Sequence, residues 1–142
     1  VVTFKKTTLL PYTPAKLYNL VNDVESYSHF VPYCTQGQVL EKKDTHVIAS
    51  LTLGSMGIHT TLVTRNTLQE NHTIHMQLLS GPLKDLDGLW EFKDTPNGTE
   101  ITLCITYTLG TSWVDGIAGP LIEKVIHHMA DVFTQEAHRR YA

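Results

Sequence analysis

The feature that most constrains this chain is a change of period. From Gln38 to Leu109 apolar and polar residues alternate with a period of two, the mark of half-buried antiparallel strands, whereas the flanking segments repeat at three and four. Val47, Ala49, Leu51 and Leu53 alternate with His46, Ser50 and Thr52. Ile58, Thr60, Leu62 and Thr64 alternate with His59, Thr61, Val63 and Arg65, and Ile74, Met76 and Leu78 follow. Leu86 to Lys93 puts Gly88, Trp90 and Phe92 on one face, and Ile101, Leu103, Ile105, Tyr107 and Leu109 share a face of the last strand. Gly54-Ser55-Met56-Gly57, Gln69-Glu70-Asn71, Gly81-Pro82 and Thr95-Pro96-Asn97-Gly98 punctuate the run. Short connections make neighbouring strands antiparallel, so the segment is predicted to be a meander that curls under its own twist.

The flanks predict the rest of the architecture. A β-like stretch, Val2 to Leu10, reaches Pro11-Tyr12-Thr13-Pro14, where Thr13 caps a helix with Pro14 in its first turn. That helix runs to about Asn22 with Leu17, Leu20 and Val21 on one face, and a short helical turn from Val24 to Phe30 carries Tyr27 before Pro32 stops it. After Gly116 and Gly119, Pro120 is expected in the first turn of a long helix reaching Tyr141, about 33 Å long. Ile122, Ile126, Met129, Phe133 and Ala137 make its apolar stripe, and the only apolar surface of matching length is the inner face of the curved sheet. The expected class is α+β: a curved antiparallel sheet wrapped around a long C-terminal helix, with two short helices after the first strand.

Residues 1–142 read as one domain, since no repeat, low-complexity tract or linker divides them. With 42% hydrophobic residues the chain can build a core that needs no metal or disulfide as a staple. Cys34 and Cys104 stand in no metal-ligand spacing and read as free thiols in a reducing compartment. A net charge of -3 excludes a global positive field for holding nucleic acid non-specifically. No apolar run is long enough to span a membrane and Val1 to Lys6 lacks a signal-peptide pattern, so the chain reads as soluble and cytoplasmic.

The residues give little support to catalysis or metal binding. His72 and His75 point to opposite faces of a strand, and His127 and His128 diverge by about 100 degrees on a helix. Cys34 reads better as a small buried hydrophobe than as a nucleophile, because no base can be placed beside it. Gly54-x-x-Gly57 lies between strands and reads as a hairpin turn, not as a nucleic-acid clamp. Asp85 and Asp87 face away from Trp90 and Phe92, towards solvent, so no acid-base pair enters the interior. What stands out is the apolar load of sheet and helix. A long helix over a strongly curved sheet leaves one end hard to fill, which predicts an apolar ligand cavity with Phe30-Val31-Pro32-Tyr33 and Gly110-Thr111-Ser112-Trp113 at its mouth.

The stretch Leu20-Val21-Asn22-Asp23-Val24-Glu25-Ser26-Tyr27-Ser28-His29-Phe30-Val31-Pro32-Tyr33-Cys34 matches the pattern V-x-D-V-x-x-Y-x-x-F-x-P-x-C. With Pro11-Tyr12-Thr13 upstream and Gly88-Leu89-Trp90-Glu91-Phe92 downstream, it resembles the coenzyme Q-binding START-domain family, whose bacterial branch is also called ribosome association toxin A. Tyr33 stands where mitochondrial relatives usually carry Trp, and the whole looks closer to the bacterial branch. The resemblance implies a helix-grip fold and a hydrophobic tunnel between sheet and C-terminal helix. For mitochondrial and some bacterial relatives it implies binding of ubiquinone and support of respiratory electron transfer as a lipid chaperone, without catalysis and with no required cofactor. For the enterobacterial branch it implies association with the large ribosomal subunit and a block of subunit joining.

Three functions are therefore expected in descending order. The first is a non-enzymatic binder of an isoprenoid quinone or related lipid, making transient contact with the inner membrane. Its ligand-binding residues are taken as Phe30, Pro32 and Tyr33 at the ring, with Leu78, Trp90, Tyr107, Trp113, Ile122, Ile126 and Met129 around the tail and rim. The second is a translation-inhibiting partner of the large ribosomal subunit, for which Lys5, Lys6, Lys42, Lys43, Arg139 and Arg140 are the local basic residues. A START-like cyclase or hydrolase comes third.

Overall fold

A computed structural model describes residues 1–142. The strands are β1 (Val2–Leu10), β2 (Cys34–Lys42), β3 (His46–Ser55), β4 (Ile58–Gln69), β5 (Thr73–Ser80), β6 (Asp85–Thr95) and β7 (Gly98–Thr108). Helix α1 spans Pro14–Asn22, a 3-10 turn spans Val24–His29, and helix α2 spans Trp113–Tyr141. All seven strands form one antiparallel sheet in the order β1-β7-β6-β5-β4-β3-β2, so β2 to β7 are the expected meander and β1 closes against the last strand. The sheet bears on α2 with its concave face, and the buried side chains of both make one core.

Local chemistry places the elements. The Thr13 hydroxyl accepts from the Lys16 amide and Pro14 occupies the first turn of α1, a cap whose removal typically costs about 1 kcal/mol. The β3–β4 turn is a tight hairpin with positive φ at both Met56 (50°) and Gly57 (81°). The residues expected to face inward on β6 and β7 do so: Gly88, Trp90, Phe92, Ile101, Leu103, Ile105 and Tyr107 are all buried. The 3-10 turn lies directly on β2, where a Cβ on Gly37 would stand 2.1 Å from the Val24 carbonyl oxygen. Strand β2 begins at Cys34, four residues before the predicted start of the alternating region.

Helix α2 departs from expectation at its start. It begins at Trp113, two turns before Pro120, which lies inside the helix and not in its first turn. The Ser112 hydroxyl caps the earlier start by accepting from the Asp115 amide at 3.1 Å. The hydrogen bond Pro120 cannot make would go to the Gly116 carbonyl, and Gly116 is exposed, so water can take that place. At 29 residues the helix is about 43 Å long, and Ile122, Ile126, Met129, Phe133 and Ala137 are all buried along the expected stripe. No helix is long and apolar enough to cross a membrane.

Candidate functional site

The curved sheet leaves a cavity under the middle of α2. Its floor is the inner face of β3 (Ala49, Leu51, Leu53), β4 (Leu62, Thr64, Asn66), β5 (Met76), β6 (Leu86, Trp90) and β7 (Ile105). Its roof is Ile122, Val125, Ile126 and Met129 of α2, and Val24 and Tyr27 of the 3-10 turn close one side. Fourteen of these sixteen residues are hydrophobic. The volume is about 70 Å³, room for about two water molecules and well below the roughly 300–1,000 Å³ of a typical ligand site. Two of the walls are the thioether side chains of Met76 and Met129, which are unbranched and repack at low cost. Met76 lies over Gly88, where an added Cβ would meet its terminal methyl at 2.6 Å.

No carboxylate, histidine, cysteine, lysine or arginine is among the lining residues. The one titratable group there, the Tyr27 phenol, donates to the Val21 carbonyl, and burial pushes its pKa up beyond any physiological range. The lining thus offers apolar surface and hydrogen bonds, with no group able to exchange a proton near neutrality.

Of the residues singled out from the sequence, Trp90, Ile122, Ile126 and Met129 line this cavity. Phe30 lies beyond it, with its ring 5.2 Å from Phe133 and 5.8 Å from Tyr27 and the Arg140 guanidinium 5.7 Å over its face. Pro32 is half-buried and Tyr33 is exposed with φ at 66°, its carbonyl accepting from the Gly54 amide. Leu78 is half-buried against the core. Tyr107 is fully buried outside the cavity lining and its hydroxyl donates to Glu123 at 2.6 Å; burial, with that hydrogen bond, raises its pKa to about 12. Trp113 is 78% exposed and, with Val114 and Ile117, faces the hairpin of Gly57 to Thr60 across a shallow groove.

The aliphatic walls on β3 and β4 and the polar pair Thr64 and Asn66 were not among the expected ligand-binding residues. Strand parity was the signal for the walls: Ala49, Leu51, Leu53 and Leu62 share the inward phase of the alternation. The expected basic residues are divided. Lys6 pairs with Asp131, Arg139 with Glu136, and Arg140 with both Glu136 and Asp23. Lys5 lies on β1, whereas Lys42 ends β2 and Lys43 follows it, at the opposite edge of the sheet.

Comparison with known proteins agrees with this arrangement. A family profile described as polyketide cyclase / dehydrase and lipid transport matches residues 10–134. Ribosome association toxin RatA of Pseudomonas aeruginosa is 36% identical over 138 residues, covering 96% of each chain. A mitochondrial coenzyme Q-binding protein of Xenopus laevis, homolog B, is more distant at 22% identity, over 99% of this chain and 59% of its own length. Among solved structures, the Zhui aromatase/cyclase of Streptomyces superposes with a TM-score of 0.82 at 16% identity, covering 99% of this chain and 96% of that one, a likeness of fold. A helix-grip of sheet and α2 around an apolar cavity, a profile match over most of the length and RatA relatives over nearly all of it lead to one assignment: the chain belongs to the polyketide cyclase / dehydrase and lipid transport family.

Proposed function

We propose that this protein is a non-enzymatic carrier that binds an isoprenoid lipid, ubiquinone or a close relative, between its sheet and helix α2. The observation that carries the reading is the cavity lining: apolar at fourteen of sixteen positions and without a proton-exchanging group. Such a surface gains free energy from desolvating a long hydrocarbon and supplies none of the acid-base chemistry a cyclase uses. The small free volume means that the ligand is admitted by displacement of Met76 and Met129, not into a standing tunnel. The distant likeness to a coenzyme Q-binding protein agrees with this ligand class. Delipidated protein is expected to take up ubiquinone saturably. Met129→Asp, which places a charge in the lining, should abolish uptake, and Met56→Ser at the 98%-exposed hairpin tip should leave it intact. Absence of saturable uptake of any quinone overturns the reading.

A second reading, association with the large ribosomal subunit, is favoured by the name and 36% identity of the Pseudomonas relative. The separation of Lys5 from Lys42 and Lys43 across the sheet, and the neutralisation of Lys6, Arg139 and Arg140 by carboxylates, weigh against binding dominated by RNA phosphates. Co-sedimentation with large subunits over a salt series tests it, and absence of the protein from the pellet at low salt excludes it.

A further inference from the structure

Two lining residues break the apolar character of the cavity, and both lie on the inner face of β4. Thr64 and Asn66 are two apart, so they point the same way, and the Thr64 hydroxyl donates to Asn66 Oδ1 at 2.8 Å. Asn66 is only 6% exposed, and its cross-strand neighbours are Val47 on β3 and Met76 on β5. Accepting from Thr64 is the single hydrogen bond its side chain makes, so the amide nitrogen has no protein acceptor. Among enclosed side-chain atoms only Asn22 Oδ1 is both sealed and unpaired, so Asn66 Nδ2 keeps some accessible surface, and Asn66 lines the cavity.

A carboxamide whose N–H donors find no protein acceptor is less favourable than a leucine beside an apolar cavity unless water or a ligand accepts from it. With the amide oxygen turned to the Thr64 hydroxyl, the nitrogen is the group left for the cavity. In the same cross-strand row stands Gly88, whose missing side chain is covered most closely by the Met76 methyl, with Ile105 Cγ1 at 3.5 Å, so rotation of Met76 opens space beside the amide.

We propose that the Asn66 carboxamide is the polar anchor of the cavity, donating a hydrogen bond to a carbonyl-type oxygen of a neutral lipid. The assignment rests on the lipid-binding reading above and adds the class and direction of the ligand. An acceptor is required, and a carboxylate is disfavoured because no cation lines the cavity. The head group lies over Asn66 and Gly88, away from the Phe30-to-Tyr33 segment, whose Tyr33 carbonyl meets Gly54 near the far end of β3.

Calorimetric titration with two probes tests this: decylubiquinone, whose ring carries carbonyl oxygens, and n-decylbenzene, which pairs the same tail with an oxygen-free ring. Wild-type protein is expected to prefer the quinone. Asn66→Leu should weaken quinone binding about tenfold and leave decylbenzene unchanged or tighter. Thr64→Val/Asn66→Leu removes both members of the polar pair and guards against misfolding from a stranded hydroxyl. It is expected to be at least as stable as wild type in thermal unfolding and to show the same loss of preference. Equal changes for both probes, no change for the quinone in either variant, or marked destabilisation of the double variant would each overturn the anchor. Failure of wild-type protein to bind either probe would instead overturn the lipid-binding reading itself.

Discussion

The two halves of helix α2 meet the same sheet in different ways. The half from Ile122 to Met129 covers mainly aliphatic side chains, shares Tyr27 and Trp90 with the ring cluster, and leaves a void. The half from Phe133 onward is packed with rings and ends in ion pairs. Phe133 is within 5.2 Å of Tyr27, Phe30 and Trp90 between ring centres, and Phe92 links that group to Tyr18 at 5.9 Å. One turn further, Glu136, only 4% exposed, accepts from Arg139 and Arg140, and Arg140 reaches Asp23 at the end of α1. Flat rigid rings in edge-to-face contact fill volume and hold it. Aliphatic and thioether side chains over a glycine leave space that can be rearranged. The difference separates a half that anchors the helix from a half that can yield.

The largest expected effect lies in the ring half. Phe133→Ala should cost about 3–5 kcal/mol in urea unfolding, because it empties the centre of a close-packed cluster. A loss under about 1 kcal/mol would show that this half is no tighter than the other. Next comes the ion-paired end. Hydrogen bonds from Arg139 and Arg140 hold the Glu136 carboxyl at a pKa of about 2, against the opposing effect of burial. A carboxyl depressed in the folded state stabilises fully above its unfolded value of roughly 4.3 and loses that contribution as pH falls towards about 2. Glu136→Gln should therefore cost about 1.5–3 kcal/mol at neutral pH, with the gap to wild type closing as acid is added. A gap that stays constant with pH would refute the assignment. The smallest effect is a contrast in tolerance: Ala137→Leu, fully buried beyond the ring cluster, should cost about 1–3 kcal/mol. Ala49→Leu, projecting into the void, should cost less than about 1 kcal/mol while weakening quinone uptake. Similar stability losses at the two alanines would erase the distinction between the halves.

This distinction also explains what could be read from the residues beforehand. Strand parity is a local property, so the inward faces of β6 and β7 follow from alternation alone, and the Thr13-Pro14 pair marks the start of α1 without help from the rest of the chain. Pro120 was ambiguous because proline is acceptable both in a first turn and at an exposed site inside a helix, and the Ser112 cap decides for the second. Location of the void was not local. Periodicity says which side chains point inward, but not which of them meet a partner large enough to fill the gap between layers. Two of the aromatic residues expected as liners find other partners: Phe30 sits in the packed cluster and Tyr107 sends its hydroxyl to Glu123. Trp90 does line the void, but much of its wall is Ala49, Leu51, Leu62 and Met76, whose side chains are smaller or more adaptable.

The pairing of β1 with β7 has a consequence for how the molecule is made. Val2 faces Tyr107 and Leu10 faces Thr99, so β1, made before the other six strands, has a partner on the order of a hundred residues later in the chain. At roughly 5–20 residues per second, β1 waits on the order of 5–20 s with both edges unpaired, and α1 waits with it for the surface of β5 and β6 on which it packs. The meander from β2 to β7 grows by adjacent hairpins throughout that interval, which makes closure of the N-terminal strand a late event of folding and the nascent segment from Val2 to Leu10 the part most in need of protection from other chains.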